Sequence, residues 1–113
     1  MTLRSPADPI SALATPTASS ALAVIRVSGS GSLELLVPLV DGALDPVNAR
    51  GHSLHRCILK DAGEPVDEVM LAVYHAPRSF TGEDSAEIFC HGSLPVIARL
   101  LSLLGRSGFR PAG

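Results

Sequence analysis

Between residues 85 and 91 the chain alternates with the period of two that a pleated strand requires: Ser85, Glu87, Phe89 and His91 share one face, and Ala86, Ile88 and Cys90 the other. The segment ahead of it is a turn, because Pro77 fixes its own φ and biases Ala76 away from the helical region, while Gly82 accepts backbone angles closed to other residues. Behind it, Gly92-Ser93-Leu94-Pro95 predicts a strand exit into a helix over 94–105, with Ser93 as N-cap and Pro95 in the first turn. The free N–H groups of that helix start would favour an anion, or the acidic side chains Glu83, Asp84 and Glu87, near His91. The helix stripe Leu94, Ile97, Leu101 and Leu104 suits a sheet. A second stripe, Val96, Leu100 and Leu103, is wider than one sheet face needs and predicts a further covering surface.

Earlier in the chain the same reasoning predicts a strand over 9–14, stopped at Thr15-Pro16, and a small polar loop over 17–20. Residues 21–27 are apolar on both faces apart from Arg26, whose neighbours on its own face are Leu22, Val24 and Ser28. A guanidinium carried into such surroundings either snorkels to the strand end or meets an anionic partner. The turn Ser28-Gly29-Ser30-Gly31-Ser32 lacks the Lys-Ser or Lys-Thr of a phosphate loop, and Ser32 is expected to cap a short helix over 33–37 that Pro38 ends. A loop over 41–51 leads to an edge-like strand over 52–60, a turn over 61–65, and a strand over 66–75. The run Val69 to Tyr74, apolar on both faces, reads as the central strand, and residues 109–111 add a last short one.

This order, with its middle strands joined too tightly for parallel crossovers, predicts an α+β two-layer sandwich with a mixed β-sheet and helices packed on one face. At 113 residues the chain is expected to form one domain over 1–113. Hydrophobic residues at 46% against 18% charged exclude a disordered chain. A net charge of −2, with Lys and Arg scattered, gives no basic patch for direct nucleic-acid binding. No apolar run reaches spanning length, and the two cysteines follow no signal peptide, which together predict a cytoplasmic protein with reduced thiols and no membrane partner. His52, His55 and Cys57 catch the eye as metal ligands, but structural zinc takes four ligands in paired spacing, so no metal site is expected.

Two blocks, Ser79-Phe80-Thr81-Gly82-Glu83-Asp84-x-x-Glu87 followed by Cys90-His91-Gly92, and Asp8 to Pro16 followed by Ala23-Val24-Ile25-Arg26-Val27-Ser28-Gly29, stand in the same order and at similar spacing as in a known family. The chain resembles the N-terminal domain of the tRNA-modifying GTPases of the MnmE (TrmE) family. The resemblance implies a homodimeric module, related in shape to glycine-cleavage T-protein domains, that binds a tetrahydrofolate derivative (5-formyl- or 5,10-methylene-). It implies Arg26 and Glu87 as folate-binding residues, with His91, Cys90 and Thr81 as secondary candidates, and no catalytic residue. An MnmG-like flavoprotein partner, and GTP with Mg²⁺ and K⁺, would act only through segments outside this chain, which contains no Gly-x-x-x-x-Gly-Lys-Ser/Thr. The chain is accordingly expected to be the N-terminal portion of a longer protein. One departure stands out: the family's glycine- and arginine-bearing loop has neither residue between Pro16 and Leu22 here. A module that dimerises but has lost folate binding is the alternative that this departure leaves open, whereas a self-contained aminomethyltransferase-like fragment has no nucleophile with an adjacent base to support it.

Overall fold

A computed structural model describes residues 8–14, 21–42, 44–79 and 81–112. The expected strand stop at Thr15-Pro16 and the polar loop over 17–20 fall outside them. The described elements run β1 (Ile10–Leu13), β2 (Leu22–Ser28), α1 (Ser32–Leu36), a 3₁₀ turn (Val37–Leu39), β3 (Ser53–Asp61), β4 (Glu64–Tyr74), β5 (Ser85–His91), α2 (Leu94–Arg106) and β6 (Arg110–Pro111). The six strands form one sheet in the order β3-β4-β5-β2-β1-β6. Pairing is antiparallel throughout except for β1 with β6, so the sheet is mixed and the fold α+β.

The core lies on one side of the sheet. Ala23, Ile25 and Val27 of β2, Val69, Leu71 and Val73 of β4, and Ala86, Ile88 and Cys90 of β5 are buried together with Leu33 and Leu36 of α1 and Ile97, Leu100, Leu103 and Leu104 of α2. Each strand contributes every second residue, as the alternation demands. Two sequence expectations need correction. The run Val69–Tyr74 is not the middle of the sheet: β4 lies second from an edge, and β5 with β2 occupies the centre. Apolar character on both faces does not report rank in the order: Val69, Leu71 and Val73 enter the core, while Met70, Ala72 and Tyr74 line a hollow on the opposite face. The second stripe of α2 is also not spare surface, because Leu100 and Leu103 point into the core and only Leu94 stays exposed among its large apolar side chains.

Local chemistry sets the ends. Ser93 Oγ accepts the Val96 N–H at 3.5 Å, as its N-cap position predicts. α2 closes in a Schellman arrangement, with Phe109 N donating to Leu104 O at 3.1 Å and Gly108, at φ 117, donating to Gly105 O at 3.5 Å. A Cβ at Gly108 would meet Leu35 Cδ1 at 3.2 Å, so glycine is needed there for conformation and for space. Ser32 does not cap α1: Gly31, left-handed at φ 83, holds the N-cap position. The Ser32 hydroxyl instead donates to the Asp84 carbonyl at 2.9 Å, which also accepts the Gly29 N–H at 2.9 Å. Asp84 Oδ1 in turn accepts the Ala76 N–H at 2.8 Å. The turn before β5 is thereby tied to β2, to α1 and to its own entry, beside the cis Ala76–Pro77 peptide.

Candidate functional site

The face of the sheet turned away from the helices carries the polar chemistry. Register places Arg26 of β2 opposite Glu87 of β5, and Glu87 opposite Ala72 of β4. One step along, Val24, Phe89 and Met70 form the next row, and one step back Ser28, Ser85 and Tyr74 form another. Arg26 Nη2 donates to Glu87 Oε2 at 2.8 Å, and the Tyr74 hydroxyl donates to Glu87 Oε1 at 3.0 Å. The Glu87 side chain is 20% exposed and that of Arg26 35%, so the pair is sheltered without being sealed. Burial, and then the hydrogen bond to Glu87, raises the Tyr74 phenol above its ordinary value and keeps it a donor.

Beside this cluster an apolar hollow of about 500 Å³ is lined by Leu22, Leu54, Met70, Ala72, Tyr74 and Phe89, with His52 and Ser53 at its rim. His52 stands edge-on to the Tyr74 ring at a centroid distance of 5.3 Å. On the β1 side, Arg26, Ser28 and Thr81 line a second hollow with Ile10, Ala12 and Leu13. There the Ser28 and Thr81 hydroxyls lie 2.7 Å apart, fastening the turn before β5 to β2.

The structure thus brings Arg26 and Glu87 into direct contact and sets Thr81 near them. Cys90 lies elsewhere, fully buried on the helix side of the sheet, where burial raises its thiol above the ordinary value. Cys57 is likewise buried, and its thiol is pushed up to about 11 by burial and then by Asp41. Both sulfurs stay protonated at neutral pH. His91 is on the bare face at the far end of β5, and its acidic partner is Asp67 rather than Glu83 or Asp84. Tyr74 and Asp67 are the members that sequence reasoning missed. Tyr74 ends an apolar run and reads as core; only its shared face with Ala72 would have aligned it with Glu87.

Among the described residues no group of three or more His, Cys, Asp or Glu is arranged to hold a metal ion. His55 Nε2 and Ser53 Oγ are 2.7 Å apart, but that hydroxyl donates its proton to the Arg50 carbonyl, so the imidazole is the donor in their contact. No helix among the described residues is long and apolar enough to cross a membrane.

By fold this is a two-layer α+β domain, and by its surface one whose bare sheet face holds a pinned carboxylate beside an apolar hollow. The family described as the GTP-binding protein TrmE N-terminus matches residues 9–113, and the chain belongs to that family. A tRNA modification GTPase MnmE from Thermus thermophilus is 42% identical over 113 residues, covering 98% of this chain and 26% of that protein. Proteins of the same description from Chlorobaculum tepidum and Treponema denticola are 43% and 41% identical, covering 95% and 93% of this chain and 23% of each relative. The chain therefore spans about a quarter of the length of these relatives.

Proposed function

We propose that the chain is the reduced-folate-binding and homodimerising portion of a tRNA-modifying GTPase. The observation that carries this reading is Glu87, a carboxylate held at both oxygens by Arg26 and Tyr74 on a bare sheet face beside an apolar hollow. Each carboxylate oxygen accepts more than one hydrogen bond, so these two donors orient Glu87 without exhausting it. A reduced pterin presents adjacent N–H donors along its pyrimidine edge, which such a carboxylate accepts as it would an arginine fork. Phe89, Met70 and Tyr74 supply flat or adaptable apolar surface for the ring system. The one-carbon unit would be carried at the 5-formyl or 5,10-methylene level. GTP, Mg²⁺, K⁺ and an MnmG-like flavoprotein would engage other parts of the full-length protein.

Self-association draws on the same face. Leu22 and Leu54 are 61% and 58% exposed, and a second copy laid against them would close the hollow from outside.

A second reading has one observation in its favour: Arg26 and Glu87 already bond each other at 2.8 Å. Calorimetric titration of 5-formyltetrahydrofolate separates the two. Glu87→Gln should weaken binding roughly tenfold or more, the worth of a charge-assisted hydrogen bond. Its melting temperature should change little, because partly exposed pairs contribute only about 1 kcal/mol or less. A wild-type chain that shows no heat of binding, with a variant that melts far earlier, would make the pair purely structural and leave a dimerisation-only module.

A further inference from the structure

The outward side of α2 has two unlike flanks. Arg99 and Arg106 stand on one, and Leu94, Ala98, Leu101 and Gly105 on the other. The charged flank is served from within the chain, since Arg106 donates to both oxygens of Asp61, at 2.9 and 3.3 Å. The apolar flank is open: Leu94 is 50% exposed, Ala98 and Gly105 are exposed, and Leu101 is half-buried. Steps of four, three and four residues keep this strip on one side of a helix with 3.6 residues per turn, which is the spacing by which one helix seats another.

The strip runs into a hollow of about 330 Å³ between α2 and the β1 edge of the sheet, lined by Ser11, Leu13, Leu101, Gly105, Pro111 and Ala112. A Cβ at Gly105 would meet nothing within 4 Å, so the glycine leaves the lip of the hollow bare. Ala112 N donates to Ser11 O at 2.9 Å and holds Pro111 and Ala112 along β1 as one wall. The matching family is described as an N-terminus, and the chain spans 26% of the Thermus thermophilus relative. In a protein of that length most of the polypeptide lies beyond the matched region and sets out from this wall. A second copy has its proposed place elsewhere, on the bare face across the sheet.

We propose that the strip Leu94, Ala98, Leu101 and Gly105, with the hollow at its end, seats the apolar face of a helix from the remainder of the full-length protein, one large side chain of which fills the hollow. The assignment rests on the reading of this chain as a portion of a longer GTPase. Ala98 and Gly105 let the two helix axes approach closely, while Leu94 and Leu101 interleave with the incoming side chains. β6 is held to β1 through only two paired residues, so a side chain in the hollow also fastens that edge. The seat lies close to the polar cluster. Ser11 and Leu13 of β1 line it, and Ala12 between them lies opposite Arg26, so one strand supports both the docked helix and the site.

The test compares the 113-residue chain with a chimaera in which it is followed by the part of the Thermus thermophilus relative beyond the matched region. Cys57 and Cys90 are both buried, so a cysteine placed on α2 reports its own surroundings to a maleimide. Ala98→Cys should react roughly tenfold or more slowly in the chimaera than in the chain, as a seat open a tenth of the time requires. Arg99→Cys, on the charged flank, should react at similar rates in both. Gly105→Glu should leave the melting temperature of the chain unchanged or raised, yet restore rapid Ala98→Cys labelling in the chimaera. A cysteine at the aligned position of the intact relative repeats the measurement without a junction, and decides where the two disagree. Rapid labelling in both overturns the proposal. Slow labelling in the 113-residue chain that sets in with rising concentration assigns the strip to a second copy and overturns it too. Absence of heat when 5-formyltetrahydrofolate is titrated into the chimaera overturns the folate reading, and leaves the labelling rates to judge the seat.

Discussion

Tyr74 is the chain's one tyrosine, and there is no tryptophan, so its ionisation can be followed without interference. Its phenol is raised by burial first and by Glu87 second. A raised folded-state value means that the associated stability is fully present below the ordinary value of 10 and is lost as pH rises through the higher folded value. Tyrosinate absorbance should therefore appear late in an alkaline titration of the native chain. In Glu87→Gln it should appear earlier, since removing the carboxylate leaves burial opposed by the Arg26 charge; an unchanged midpoint would remove Glu87 as a partner of the phenol. At this scale the sequence was legible where a charge interrupts an apolar strand, which is why Arg26 and Glu87 stand out. It was silent on Asp67, an acidic residue near a hairpin whose value comes only from lying beside His91 across the sheet.

Elements were legible wherever local chemistry decides them. The period of two in β5, the Ser93 cap and the glycine after α2 each come from interactions within a few residues. The fate of a stripe is different, because whether Leu100 meets the core or a partner depends on the angle at which α2 settles on the sheet. Leu100 is fully buried. Leu100→Ala should cost about 2–5 kcal/mol, visible as a large drop in denaturant midpoint. Leu100→Glu should prevent folding altogether rather than loosen an assembly. A folded, merely monomeric Leu100→Glu chain would contradict the packing of α2.

For the whole molecule, strand order was the least legible feature, since pairing β2 with β5 joins residues about sixty positions apart through contacts that no local pattern encodes. What remained outside the core after folding is the bare face, and self-association should depend on it. Light scattering is expected to give a dimer that Leu54→Glu weakens; a wild-type monomer at high concentration would remove dimerisation from the proposed role. The one-sided core also governs what kinds of genetic change the domain tolerates. Along β5, Glu87 and Phe89 face away from the helices, and Ala86, Ile88 and Cys90, which alternate with them, face the core. Point substitutions can alter one function and spare the other. A single-codon deletion just before Ser85 cannot: keeping the register of backbone bonds would turn Glu87 into the core and Ile88 outward in one event, so length changes should be excluded from this strand while its outward-facing side chains stay free to vary.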